Sequence, residues 1–175
     1  GTEPDETQIA KWEATITQEI RDETIQANSW YWFSSGQLCL SKPEIVACMT
    51  EKVKAQLLLT PGVGYLVLGG KDAASLCECD YCKKNLEKCG TYGGIFINFL
   101  NEVSKKLEEE KFFENNPQVN VNVKLMSLNY KGYVWAPVDT DANGNVTKTY
   151  VKARDNVGVF LCPIDGCWSH SLDDP

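Results

Sequence analysis

Residues 63–70 read VGYLVLGG. The run is apolar without alternation, and two glycines end it. A strand with one wet face alternates apolar and polar residues; a strand covered on both faces does not. Helix-roofed parallel sheets are where doubly covered strands occur, so residues 63–68 predict a buried strand of a parallel sheet.

The neighbouring segments supply the helices. Ser41-Lys42-Pro43-Glu44 reads as a helix start, with Ser41 as cap, Pro43 in the first turn and Glu44 completing a capping box. Ile45, Met49, Val53 and Leu57 then share one face, and Pro61-Gly62 ends the helix. Phe96, Phe99, Leu100, Val103 and Leu107 mark a second helix over residues 94–111. Its Glu102 and Lys106 are spaced for a solvent-side pair. Asn115-Asn116-Pro117 breaks the chain, and residues 119–128, VNVNVKLMSL, read as the next strand. Asn143-Gly144 marks a β-hairpin within residues 134–151. Asp139, Asp141 and Asn143 also imitate the start of a calcium loop, but Tyr150 stands where a bidentate Glu is needed, and the plain hairpin is preferred. Residues 156–162, NVGVFLC, read as one more buried strand.

Ahead of all this, Ile9, Trp12, Ile16 and Ile20 stripe an amphipathic helix over residues 7–26. Residues 30–40, WYWFSSGQLCL, read as a buried strand, with a sugar-stacking ledge as the alternative. The expected fold is one α/β domain over residues 1–175. It is a parallel sheet of βα units with right-handed crossovers and a hairpin inserted around 134–151.

The size, 175 residues, suits one domain, and 43% hydrophobic residues suffice for a core. A net charge of −7 argues against nucleic acid and anionic lipid as partners. No apolar stretch approaches the roughly 20 residues of a membrane span. The opening GTEPDETQ is acidic and unlike a signal peptide; its leading Gly reads as a protease scar, with the native start upstream.

Sites in parallel α/β sheets form beyond the carboxyl ends of the strands. The first end presents Lys71 and Asp72, the second Asn129, Tyr130 and further out Trp135, the third Asp165, Trp168 and His170. Carboxylates, amides and indoles at one rim suit a carbohydrate. Glycoside cleavage needs two carboxyl groups, one giving a proton and one acting as base or nucleophile. Asp72 is the better placed candidate and Asp165 the second; the plainer role for each is a helix cap or a loop ion pair. His170 is the chain's one histidine, so any Ser-His or Cys-His nucleophile would depend on it.

The chain holds eight cysteines, many for a cytosolic protein. Cys77, Cys79, Cys82 and Cys89 can supply the four ligands of a structural zinc, with Cys162, Cys167 or His170 as distant substitutes. Disulfides compete equally with zinc. Cys77 and Cys79 are too close in sequence to pair with each other, so each would need a distant partner. Buried thiols come third. Either cross-link would brace the rim.

Gln37-Leu38-Cys39-Leu40-Ser41-Lys42-Pro43-Glu44, the stretch from Asp72 to Cys82 ending CECDYCKKN, Phe96 to Val103 (FINFLNEV), and Arg154-Asp155-Asn156-Val157 through LCPIDGCWSH are best taken together. In these the chain resembles the domain of unknown function 4838 family, of large, mostly exported proteins of carbohydrate-degrading bacteria. The resemblance runs from about residue 36 to the end. The family is similar to glycoside hydrolases built on a (β/α)8 barrel, particularly relatives of α-glucuronidases and hexosaminidases. The resemblance implies a partial barrel, action on a polysaccharide or glycan, and a secreted, periplasmic or cell-surface location. A complete barrel needs about 250 residues, so the chain is expected to be part of one, with exposed sheet edges that allow self-association. Asp72 would be the acid, while Trp135, Trp168 and His170 would shape a sugar subsite. The rival expectations are a non-catalytic carbohydrate-binding or scaffold module, and a zinc- or disulfide-stabilised interaction domain.

Overall fold

The computed structural model describes residues 38–69 and 77–162. In chain order come α1 (Pro43–Leu59), β1 (Tyr65–Gly69), α2 (Asp80–Cys89), α3 (Tyr92–Glu109) and the single turn α4 (Phe112–Asn115). Then follow β2 (Lys124–Asn129), a 3-10 turn (Lys131–Tyr133), β3 (Val138–Thr140), β4 (Val146–Thr149) and β5 (Val157–Leu161). Strands β1, β2 and β5 pair in parallel in that order, and β3 and β4 form an antiparallel hairpin. The expected parallel sheet and inserted hairpin are both present. The helix expected over 7–26 and residues 30–37 of the aromatic run lie outside the described residues.

The longest helix, α3, carries the core. Ile95, Phe96, Phe99, Leu100, Val103 and Leu107 are all buried, at the three- and four-residue spacing of one helical face. That face meets Ile45, Val53 and Leu57 of α1 and Leu125 and Val157 of the sheet in one cluster. A polar ridge on α3 holds the approach to β5. Asn101 Oδ1 accepts from the Arg154 amide at 2.9 Å, and Ser104 Oγ donates to Asn156 Oδ1 at 2.7 Å. Arg154 in turn donates to Ser104 Oγ at 3.1 Å and pairs with Glu108 at 2.5 Å.

Four local expectations need correction. Residues 38–40 are not strand; Cys39 turns into a cluster of thiols. Ser41 does not cap α1: Lys42 holds that position without a side-chain cap bond, and Ser41 Oγ accepts from Asn85 at 3.2 Å. The alternation VNVNV is not strand either. Asn120 Oδ1 accepts from the Asn122 amide at 3.0 Å and Asn120 Nδ2 donates to the Val63 carbonyl at 3.0 Å, so Asn side chains turn the backbone where the pattern suggested extension. Finally, neither β1 nor β5 is the fully buried strand expected: in β5 Val157 is buried, but Val159, Phe160 and Leu161 are exposed. In β1, Leu66 and Leu68 pack on the core, while Tyr65 and Val67 on the alternate positions are exposed.

The hairpin tip uses up the group that would have bound calcium. Asp141 accepts from the amides of Asn143 and Asn145 at 2.9 Å each and from the Asn145 side chain at 3.0 Å. These bonds, from Asn145 foremost, hold its carboxyl below the usual carboxylate range. Gly144 takes φ 81°, the left-handed backbone such a tip requires.

If α3 organises the core, Leu100→Ala should lower unfolding free energy by roughly 2–5 kcal/mol in a urea titration. Leu58→Ala, on an exposed position of α1, should stay within roughly 0.5 kcal/mol. Equal losses at both positions would contradict this picture.

Candidate metal centre and the carboxyl edge of the sheet

The segment CECDYC forms a helix start, not an extended loop. Cys79 is the N-cap of α2 and Cys82 lies in its first turn. Cys77 stands just ahead of the helix. The fourth sulfur comes from Cys39, before α1. The Sγ atoms of Cys39, Cys77, Cys79 and Cys82 all lie within 4.8 Å of one another, so the four can hold a metal ion. Cys39 Sγ is 3.6 Å from that of Cys79 and 3.7 Å from that of Cys82. Four sulfurs placed tetrahedrally at the zinc–thiolate distance of about 2.3 Å stand about 3.8 Å apart. A disulfide would need about 2.05 Å, and none joins the described cysteines. The spacing is that of a metal cage.

The surroundings act on the sulfurs in opposite directions. The cluster sits at the N-terminus of α2, where the helix dipole stabilises thiolate. Lys42 is buried with its ammonium 5.4 Å from the Tyr81 ring centre, in the Cys79–Cys82 turn. Among the thiols, hydrogen bonds to Cys77 and Cys82 together with burial hold the Cys39 proton far above the ordinary range. Cys77, bonded to Cys39 and Cys82, is held low and ionises first.

Cys89, expected as the fourth ligand, is not one. It ends α2, buried in the main core with its thiol 3.5 Å from Asn85 Oδ1. Seven residues of helix separate it from Cys82, a rise of about 10 Å. Cys39 was missed because it lies far off in sequence, inside an aromatic stretch with the character of a strand. No local signal marked it: Cys89 stood nearer in sequence and offered the fourth sulfur.

Of the expected rim residues, Asn129, Tyr130 and Trp135 are brought together at the carboxyl end of β2. The others, Lys71, Asp72, Asp165, Trp168 and His170, lie outside the described residues. Gly69 pairs with Leu128 and Asn129 with Leu161, so the three strands end at a common edge. Asn129 is only 4% exposed. Its Nδ2 donates to the Tyr133 carbonyl at 2.9 Å, which leaves Oδ1 without a partner among the described residues. Tyr130 carries the Lys131 ammonium 5.4 Å from its ring centre. Trp135 is 70% exposed, yet its backbone is held: Thr91 Oγ1 donates to its carbonyl at 2.9 Å and accepts from the Gly94 amide at 3.0 Å.

In the same first turn of α3, burial and then the charges of Glu78 and of Cys82, Cys77 and Cys79 push the Tyr92 phenol up, while Thr91 and Gly93 meet the backbone of the Trp135 loop. Neither Thr91 nor Gly93 was marked by sequence.

A family model described as Domain of unknown function (DUF4838) matches residues 12–175. No curated protein and no solved structure matches the chain.

Reduced protein should take up about one thiophilic divalent ion per chain, Co2+ giving the intense visible bands of tetrahedral thiolate ligation. Cys39→Ser should weaken binding more than the roughly 10–100-fold lost with a mere supporting residue, and Cys89→Ser should not. Metal displaces protons from sulfur, so affinity should fall as pH falls. Equal effects of the two substitutions would remove Cys39 from the ligand set.

Proposed function

The chain belongs to the Domain of unknown function (DUF4838) family, and from that premise we propose that it is a carbohydrate-active domain of glycoside-hydrolase-like build. It acts outside the cytoplasm on a polysaccharide or glycan, and a structural zinc ion at Cys39, Cys77, Cys79 and Cys82 braces its rim. Asp72 is the proposed acid and Asp165 its partner carboxylate. Lys71, Asn129, Tyr130, Trp135, Trp168 and His170 are the proposed sugar contacts.

The observation that carries this reading is the carboxyl edge. Parallel strands in sequential order end together there, which is where α/β sheets place their ligands. An exposed indole on a clamped backbone belongs to the loop beyond β2, and a buried asparagine at the end of that strand has an acceptor without a partner among the described residues. Aromatic faces stack on sugar C–H groups and planar amides take sugar hydroxyls, so this pairing suits a glycan.

Two further features support a partial (β/α)8 barrel. Helix α3 covers one face of the sheet, as outer helices cover a barrel wall. The opposite face is apolar and exposed at Tyr65, Val67 and Phe160, as the inner face of an opened barrel would be. The outer edges of β1 and β5 carry no strand among the described residues, and self-association through them follows as part of the proposal.

Zinc fits the four-thiol donor set and its spacing. Bound there, it would tie the chain before α1 to the start of α2 and fix the segment that follows Asp72.

A panel of glycans tests the reading, with calorimetry for binding and reducing-end release for cleavage. Trp135→Ala should cost roughly 0.5–1.5 kcal/mol of affinity, about 2–10-fold. Asp72→Asn should abolish cleavage and leave binding in place. Binding without any cleavage by the natural sequence would make this a carbohydrate-binding module. Neither binding nor cleavage, with zinc present, would leave a zinc-stabilised interaction domain.

A further inference from the structure

We propose that Cys79 is the site at which hydrogen peroxide oxidises the four-thiol centre, and that Cys39 is the thiol that closes the resulting disulfide. The centre then has two cross-linked states, a metal tetrathiolate and a Cys39–Cys79 disulfide with the ion released. This rests on the metal reading of the preceding section.

Access selects Cys79. Cys39, Cys77 and Cys82 are buried, and Cys79 alone of the four is partly exposed. It also stands at the N-cap of α2, at the open end of the cluster's helix. Distance and freedom select Cys39. Its sulfur is 3.6 Å from that of Cys79, and it belongs to irregular chain ahead of α1. Cys82 is bound into the first turn of α2, and Cys77 is separated from Cys79 by one residue, a poor spacing for a disulfide. Cys39 can therefore close the gap to about 2.05 Å with the least disturbance of regular structure.

The chemistry balances. The Cys79 thiolate attacks one peroxide oxygen; the O–O bond breaks, hydroxide leaves and Cys79 becomes a sulfenic acid. Cys39, deprotonated as a ligand of the ion in the loaded centre, then attacks the Cys79 sulfur, the S–O bond breaks and a second hydroxide leaves. Each sulfur has lost one electron and each peroxide oxygen has gained one, and solvent protons turn both hydroxides into water. Two thiolates, those of Cys77 and Cys82, remain for the ion, too few for a structural site. Dithiol reduction reverses the disulfide and restores the four ligands.

The test uses the full chain loaded with zinc, its content measured first by elemental analysis. Hydrogen peroxide is added in steps, released zinc is read with a chromogenic chelator, and alkylated protein is digested for mass spectrometry. About one zinc should leave per disulfide formed, the linked peptides should contain Cys39 and Cys79, and dithiothreitol should restore zinc binding. In Cys39→Ser, Cys79 should proceed to sulfinic acid, which dithiothreitol cannot reverse. A Cys79–Cys82 bridge, first oxidation at another cysteine, or zinc loss without a disulfide would overturn the inference while leaving the metal reading intact. A chain that takes up no zinc ends the metal reading before peroxide is added, and this inference with it. Mapping of the unsubstituted chain decides the question even if Cys39→Ser does not fold.

Discussion

Positions 93 and 94 have no room for a side chain, and the arrangement of the site depends on that. A Cβ at Gly94 would stand 2.2 Å from the Cys89 carbonyl oxygen and 2.8 Å from Pro137. One at Gly93 would stand 2.5 Å and 2.6 Å from the Trp135 and Tyr133 carbonyl oxygens. The carbonyl oxygens are backbone atoms that cannot swing aside, so larger residues would force α3 away from both α2 and the loop beyond β2. The bend between the helices adds a third glycine, Gly90, at φ 75° with the Tyr150 ring against it. Through these approaches the cysteine helix, the core helix, the Trp135 loop and the hairpin meet at one point.

Energetically the two halves of that junction differ. The α3 side is a conventional core, where Phe96 meets Tyr133 edge-on at 5.5 Å and apolar burial supplies the stability. The thiol side is a separate small cluster of Cys39, Cys77 and Cys82. Small thiols bury little apolar area, and sulfur–sulfur hydrogen bonds are weak. A cross-link through the sulfurs would contribute what packing there does not, because it would join segments 40 residues apart in sequence and remove loop entropy from the unfolded chain. Metal and disulfide are alternative forms of that cross-link, and the sulfur spacing favours the metal.

Much of the fold was legible because periodicity and punctuation agreed. The α3 stripe, the Asn143-Gly144 tip and the Pro61-Gly62 stop all gave elements at or near the expected places. Legibility failed where side chains overrode the pattern. Asn120 made a turn out of an alternating run, and the thiol-rich segment was helical from Asp80 on. The site was half legible for the same reason. Rim residues are found by locating strand ends, which sequence gives well. Cys39 could not be found that way, since its role comes from how α1 and α2 pack and not from anything local to it. Thr91 and Gly93 were likewise hidden, because their function is a contact with a carbonyl more than forty positions away.

Asn129 shows how the rim and the fold constrain one another. A buried acceptor left unpaired costs on the order of 1–3 kcal/mol, and folds rarely keep one without a use. Asn129 Oδ1 has no partner among the described residues. Its amide is fixed by the Tyr133 carbonyl, its own carbonyl accepts from the Cys162 amide at 2.8 Å, and Gly93 keeps the space beside it clear. With Nδ2 committed, Oδ1 can only accept, so whatever completes the site brings a donor to the end of the central strand. A hydroxyl, a backbone amide or a water would each be such a donor, at the point where the three strand ends converge.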